Sequence, residues 1–252
     1  MENDWNMGQR DFLNDRIEDA SAYAVKNDAC VFLDFYEPAI QLLIEKEIAR
    51  YPECDCAFFG GNDYSERKIL SIFKKNCEPD LKIYPLKCLQ FEADEIEHKD
   101  VLGALIALGI QRDKIGDINF FNETVQIFIA EPIDIYVVQN LCKIANKDIE
   151  CREVAFEDIK ENEPKFINLD IIIASMRIDN VMHAVFKMSR NEAQAFIKAD
   201  KVKINHKPVT KSSVNIKSGD IVSVRSKGRL LVDMPAGTTK KGNIKLKVRK
   251  FQ

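Results

Sequence analysis

Histidine is scarce in this chain of 252 residues: His98, His183 and His206 are the only three, which leaves little material for general acid–base chemistry. No Gly-x-Gly-x-x-Gly occurs, so a dinucleotide or methyl-donor pocket of that type lacks its fingerprint. Gly237 and Gly242 have phosphate-loop spacing, but Asn243 and Ile244 stand where Lys and Ser or Thr are required, so nucleotide hydrolysis is unsupported. Paired Cys-x-x-Cys knuckles are missing too. Cys30, Cys54, Cys56, Cys77, Cys88, Cys142 and Cys151 form an odd, irregular set, which argues for reduced thiols packed as small apolar residues and against a secreted disulfide framework. Cys54-Asp55-Cys56 is the only close pair, and a metal shared with Cys88 or His98 is the less favoured alternative. The longest apolar run, Val101 to Ile110, is about half the roughly 20 residues a membrane-spanning helix needs. The start, Met1-Glu2-Asn3-Asp4-Trp5, lacks the basic beginning and apolar core of a signal peptide. These absences lead to the expectation of a cytoplasmic protein with no membrane partner, no small-molecule substrate, no cofactor and no metal.

Acidic residues are also scarce, but only in the last third. From Arg177 to Gln252 there are 18 Lys/Arg against 5 Asp/Glu, a balance of +13, whereas residues 1–176 hold 19 against 35, a balance of −16. The net charge of −3 hides this split. A basic appendage on an acidic body is the electrostatic pattern of a nucleic-acid-binding module on a scaffold.

In the body, Phe12, Ile17, Ala20, Tyr23 and Ala24 predict an amphipathic helix over 10–26, leading into a strand at Val31-Phe32-Leu33. Glu37-Pro38 opens a second helix, and Ala57-Phe58-Phe59 reads as a strand closed by Gly60-Gly61. A third helix is expected to start within 62–68. From residue 84 the pattern runs strand 84–91, helix 98–109, strand 117–121, strand 124–130, helix 132–146, strand 149–156. That order is the split β-α-β of a ferredoxin-like or RNA-recognition-motif fold. Phe120, Phe121 and Phe128 are candidate base-stacking rings on such a sheet. Yet residues 86–165 hold 9 Lys/Arg against 17 Asp/Glu, so the domain reads first as scaffold or protein-binding surface. Residues 157–170 are charged and contain Pro164, and the linker is placed at 161–174.

In the basic third, Ile178, Val181, Met182 and Val185 have the i, i+3, i+4, i+7 spacing of a buried helix face, leaving Arg177, Asn180 and Lys187 on the other side. Ser189 followed by Glu192 is a capping-box start for a second helix. Its Ala193, Phe196 and Ile197 face inward, while Arg190, Gln194 and Lys198 form an outward stripe that Lys201 extends. The period then becomes two: Val202 and Ile204 alternate with Lys201, Lys203 and Asn205, and His206-Lys207 is read as a turn. Gly219-Asp220 marks another turn before a strand at 221–225. Ile244, Leu246 and Val248 alternate with Lys245, Lys247 and Arg249.

Arg177-Ile178-Asp179, Ser189-Arg190, Ala193, Ile197, Val202, Ile204-Asn205, Val209 and Gly219-Asp220 resemble the RNA-binding domain named after small-subunit ribosomal protein four. The resemblance implies a contact face at Arg177, Ser189, Arg190, Lys198, Lys201 and Asn205. Many members of that family carry glycine where this sequence has Asp200 and His206. Over nearly the whole chain, Phe32-Leu33-Asp34, Phe59-Gly60-Gly61 with Glu66-Arg67-Lys68, the stretch His98 to Asp117, and Gly237 to Gly242 resemble the YlmH family of bacterial proteins. Where that family often has Pro-Arg-Glu, this chain has Phe35-Tyr36-Glu37. The resemblance implies a cytosolic RNA-binding protein that acts on the ribosome, in rescue of stalled large subunits carrying peptidyl-tRNA, with a link to cell division; the absent catalytic motifs add the expectation that it is not an enzyme.

The fold class expected is α+β: a small N-terminal α/β domain (1–83), a ferredoxin-like middle domain (84–160), a linker (161–174) and an S4-type RNA-binding domain with a basic tail (175–252). The candidate RNA-binding residues are Arg177, Lys187, Ser189, Arg190, Gln194, Lys198, Lys201, Lys203, Asn205, Lys207, Lys240, Lys241, Lys245, Lys247 and Arg249. Expected partners are structured RNA (rRNA, tRNA) and the large ribosomal subunit, with a possible protein partner on the acidic body. Two other classes compete. One is a pseudouridine-synthase-like RNA-modifying enzyme with its catalytic residues in 1–165 and the basic module as substrate arm; Arg177-Ile178-Asp179 resembles the Arg-Leu-Asp of those synthases, but Asp179 reads as a structural or helix-start residue. The other is a cell-division adaptor.

Overall fold

The structure is a computed structural model that describes residues 7–92 and 94–251; the opening Met1-Glu2-Asn3-Asp4-Trp5 lies outside them. The chain divides into two compact units, Met7–Glu163 and a C-terminal unit that begins at Pro164.

The first unit begins with α1 (Met7–Asn27), whose Leu13, Ile17, Ala20 and Ala24 are all buried along one face. β1 (Val31–Tyr36), α2 (Pro38–Ile48) and β2 (Cys54–Phe59) follow, with Pro38 in the first helical turn, where its missing N–H is tolerated. No helix starts within 62–68. Asn62 Oδ1 instead accepts from Tyr64 N and from Ser65 Oγ, both at 3.0 Å, and this turn delivers the chain into β3 (Lys68–Lys74). β3 is the middle strand of the order β1-β3-β2 and is antiparallel to both neighbours. Ile69, Leu70, Ser71 and Ile72 are each 0% exposed, so the strand is buried on both faces and carries no alternation for a sequence reading to find.

The same unit continues through β4 (Leu86–Glu92), α3 (His98–Ala107), β5 (Ile115–Phe121), β6 (Thr124–Ala130), α4 (Ile133–Asn140), β7 (Lys143–Ile144), β8 (Lys147–Asp148) and β9 (Arg152–Val154). The order β5-β6-β4-β9, antiparallel throughout, is the ferredoxin-like topology expected. The helix expected to reach 146 stops at Asn140. Ala145 and Asn146, at φ 47° and 66°, turn the β7–β8 hairpin with left-handed residues that a helix cannot hold. Alternation along β6 serves two cores. Ile127 and Ile129 pack with Val101, Leu105 and Val137 of the helices, whereas Phe128 and Ala130 pack with Phe35, Phe59, Ile69 and Tyr84 from the N-terminal segment. The expected boundary at 83/84 therefore lies inside one unit.

Motifs far apart in sequence meet where these sheets adjoin. Asp117 accepts from Glu66 N at 2.5 Å and Arg67 N at 3.0 Å. Arg67 donates to the carbonyls of Phe35, Arg112 and Ile115 at 3.2, 3.0 and 2.8 Å. Burial pushes its pKa down to about 10, so it stays charged at neutral pH. Asp34 is paired with both Arg16 and Lys114. Burial acts to raise the Asp34 carboxyl, but the hydrogen bonds from Lys114 and Arg16 outweigh it and hold the group below the usual carboxylate range. Gly61 lies at φ +102°, and a Cβ there would sit 2.1 Å from Phe128 Cε1.

The second unit contains β10 (Phe166–Ile173), α5 (Ile178–Phe186), α6 (Arg190–Lys198), β11 (Val202–Ile204), β12 (Lys207–Pro208), β13 (Ile221–Val224), β14 (Gly228–Thr238) and β15 (Ile244–Phe251). The six strands run β10-β15-β14-β13-β11-β12. The expected linker at 161–174 is corrected by β10, which pairs with β15 from Phe166↔Phe251 to Ile173↔Ile244 and buries Ile171 and Ile173. Leu169, Ile171 and Ile173 have the period of a strand, but the exposed Ile167 and Ile172 break the apolar–polar alternation that would have shown it. The turn read at His206-Lys207 sits one residue earlier. Asn205 and His206, at φ 47° and 64°, form the tight link and Lys207 already pairs in β12. Asp200 and His206, the positions where related domains carry glycine, are both left-handed here, at φ 53° and 64°.

Candidate nucleic-acid interface

Helices α5 and α6 cover one face of the six-stranded sheet. Ile178, Val181 and Met182 of α5 and Ala193 and Ile197 of α6 pack with Val202, Val222, Leu230, Leu246 and Val248. Sealing these apolar stripes forces the remaining helix faces outward. Arg190, Gln194 and Lys198 are exposed along α6, as the period predicts, and so are Lys187, Lys201, Lys203 and Lys207. Lys187 is the left-handed cap that ends α5, at φ 54°, which places its side chain in the link between the helices. The Lys201 ammonium lies 5.3 Å from the centre of the Phe196 ring. Among the described residues Lys187, Arg190, Lys198, Lys203 and Lys207 form no ion pair.

Other candidates are engaged within the fold. Arg177 makes a bidentate pair with Asp179, at 3.1 and 2.6 Å, and Asp179 also accepts from Asn180 N at 2.9 Å, so Asp179 anchors the start of α5. The hydrogen bonds that Arg177 donates to the Asp179 carboxylate hold its guanidinium above the usual pKa. Ser189 is the N-cap of α6: its Oγ accepts from Glu192 N at 3.2 Å and its N–H donates to Glu192 Oε2 at 2.7 Å. Asn205 donates to Asp220 Oδ1 and accepts from Ile221 N, both at 2.8 Å, which ties the β11–β12 turn to the start of β13. Arg249 bonds both oxygens of Asp233 and lies 5.1 Å from the Phe166 ring centre. These residues shape the module, and each already has a hydrogen-bond partner within it.

Lys245 and Lys247 are exposed on β15, opposite the buried Leu246 and Val248, and Lys240 and Lys241 are exposed at the β14–β15 turn. Sequence reasoning passed over Arg225, whose N–H bonds Lys201 O at 2.8 Å and which therefore extends the exposed cationic edge beside Lys201. The missing signal was strand pairing: β13 joins β11 only through register, which local spacing does not contain.

The first unit is built differently. Lys87 pairs with Glu153 at 2.9 Å, Lys99 with Glu97 at 2.7 Å, Lys143 with Asp148 at 3.8 Å, Lys147 with Glu95 at 3.5 Å, and Lys114 with Asp34. The sheet face that an RNA-recognition motif uses for stacking is closed. Phe128 is 0% exposed beneath the N-terminal segment, Phe120 packs into the helix-side core, and Phe121 is half-buried with Lys160 5.5 Å from its centre. Gln126, also fully buried, is held by Gln90, Asp158 and Lys160.

A helix pair over a basic sheet defines an S4-type RNA-binding module, and residues 176–222 match the S4 domain model. Residues 84–158 match the model described as "Putative RNA-binding domain in YlmH". Both domain models occur along the chain in this order, so the chain is similar to YlmH proteins over these segments. It is 28% identical over 212 residues to the ribosome-associated protein quality control protein P2 of Bacillus subtilis (strain 168), covering 82% of each chain. A structure described as cell division protein ylmH from Streptococcus pneumoniae is similar in fold, with a TM-score of 0.53, 20% identity, and coverage of 64% of this chain and 99% of that one.

Proposed function

We propose that this protein is a non-enzymatic cytoplasmic RNA-binding factor that docks on the large ribosomal subunit and acts in quality control of stalled subunits carrying peptidyl-tRNA. The observation that carries the reading is the contrast in cation use. In the first unit half of the Lys ammonium groups, those of Lys74, Lys87, Lys99, Lys114, Lys143 and Lys147, are matched by a carboxylate, whereas Lys187, Arg190, Lys198, Lys203 and Lys207 of the module are exposed without an ion pair among the described residues. The name of the Bacillus subtilis relative supports the ribosomal setting. The contact face is Lys187, Arg190, Gln194, Lys198, Lys201 and Lys203 with Lys207, and the RNA is rRNA, tRNA or both. Docking proceeds by phosphate neutralisation, and counterions released from the RNA supply most of the affinity.

The likeness of Arg177-Ile178-Asp179 to pseudouridine synthases supplies no nucleophile. Asp179 is 4% exposed and bonded to Arg177 and to the backbone, which is a helix-start role. Ultraviolet cross-linking of the ribosome-bound chain tests the proposal. Cross-linked peptides should fall within 176–251. Cross-links concentrated in 84–158 would refute it.

A further inference from the structure

The S4 match ends at residue 222, yet the sheet continues through β14 and β15. This extension carries a second basic surface. Leu246 and Val248, 1% and 0% exposed, point at the helix-covered core, so Lys245 and Lys247 leave the sheet on its outer face. The β14–β15 turn is built: Thr239 N donates to Asn243 O at 2.7 Å, Gly242 N to Thr239 O at 2.9 Å, and Asn243 N to Thr239 Oγ1 at 3.1 Å. Lys240 and Lys241 occupy its exposed centre. No acidic residue occurs between Met234 and Lys247. Asp233, just before this stretch, is neutralised by its bidentate pair with Arg249.

The surface offers cations without stacking rings. Residues 228–250 contain no aromatic residue, and Phe166 and Phe251, paired at the end of β10 and β15 away from the turn, are already covered by Arg249 and Arg229, 5.1 and 4.6 Å from their ring centres. Readers of single strands need open aromatic platforms, whereas a duplex presents phosphates and buried bases. From this combination we infer that Lys240, Lys241, Lys245 and Lys247 form a second RNA-binding surface, separate from the helix pair and specific for the phosphate backbone of double-helical RNA. The inference deepens the proposed function and rests on it.

The test uses the full chain and a fluorescent RNA stem-loop titrated over a salt series. Each phosphate contact contributes roughly 0.7–0.9 to the slope of log affinity against log salt. Lys240→Gln, Lys241→Gln, Lys245→Gln and Lys247→Gln together should therefore make the slope shallower by about 3. That change should add to the effect of neutralising Arg190 and Lys198, because distant sites act independently. An unchanged slope, with helix-face variants still weakened, overturns the second surface and leaves the proposed function standing. If neither set alters binding, both fall. A slope change equally large on an unpaired oligonucleotide overturns the duplex assignment. If the quadruple variant fails to melt cooperatively, Lys240→Gln with Lys241→Gln, confined to the turn, should give about half the change, and no change there overturns the inference.

Discussion

Replacing Arg190→Glu together with Lys198→Glu probes the helix face at its two ends. Arg190 is the first and Lys198 the last residue of α6, and both are exposed without an ion pair among the described residues. An acid in the first turn gains about 0.3–1 kcal/mol from the helix dipole and an acid in the last turn loses a similar amount, so the two effects nearly cancel and the fold should persist. Binding behaves differently. Two lost phosphate contacts remove about 1.4–1.8 from the salt slope, and reversal of sign adds repulsion, so affinity for structured RNA should fall by about 10–100-fold near physiological salt. Fluorescence anisotropy with an RNA stem-loop reads the loss, and a circular-dichroism melt reads the fold. A variant that melts like the parent and binds RNA with unchanged affinity refutes the assignment of this face.

Three further outcomes follow from the fold. Gly61→Ala, at φ +102° with its Cβ on Phe128, should destabilise the first unit by about 2–4 kcal/mol, seen as a lower denaturant midpoint. Asp34→Asn leaves Arg16 and Lys114 without their carboxylate. Because those cations are about one-third exposed, the loss should be about 1–3 kcal/mol, below that of a fully buried pair. The Asp34 pKa is depressed in the fold, so its stabilisation is complete above the ordinary carboxylate pKa near 4 and is lost as pH falls through the depressed value. Parent and variant stabilities should thus converge on acidification, and a constant gap down to about pH 2 would contradict the pairing. Asp200→Gly, at φ 53° on an exposed turn, should stabilise the module by up to about 1 kcal/mol; a lower melting temperature would show that Asp200 serves another purpose.

Much of the module was legible in the sequence because its signals are local. The Ser189–Glu192 box, the helical spacing of Ile178, Val181 and Met182, and the alternation of Ile244, Leu246 and Val248 each need only a few neighbouring residues, and each appears in the structure. The middle domain was readable for the same reason, through the local periods of its strands and helices. Strands buried on both faces were not: β3 lacks alternation, and its neighbours are fixed only by tertiary pairing. The state of individual polar groups was equally hidden. Asn205 and Arg249 share the alternating polar positions of their lysine neighbours, yet Asp220 and Asp233, far enough away to lie outside any local pattern, hold them in the fold. Phe128 looked like a stacking ring until the N-terminal sheet covered it.

Co-sedimentation of the full chain with purified large ribosomal subunits, across a salt series, tests the central claim most directly. Docking through a phosphate-binding module predicts firm association at about 50 mM salt and a loss of several hundred-fold or more in affinity by about 200 mM, with a steep linear log–log slope. Association that is absent at low salt, or that persists unchanged across the series, contradicts the account.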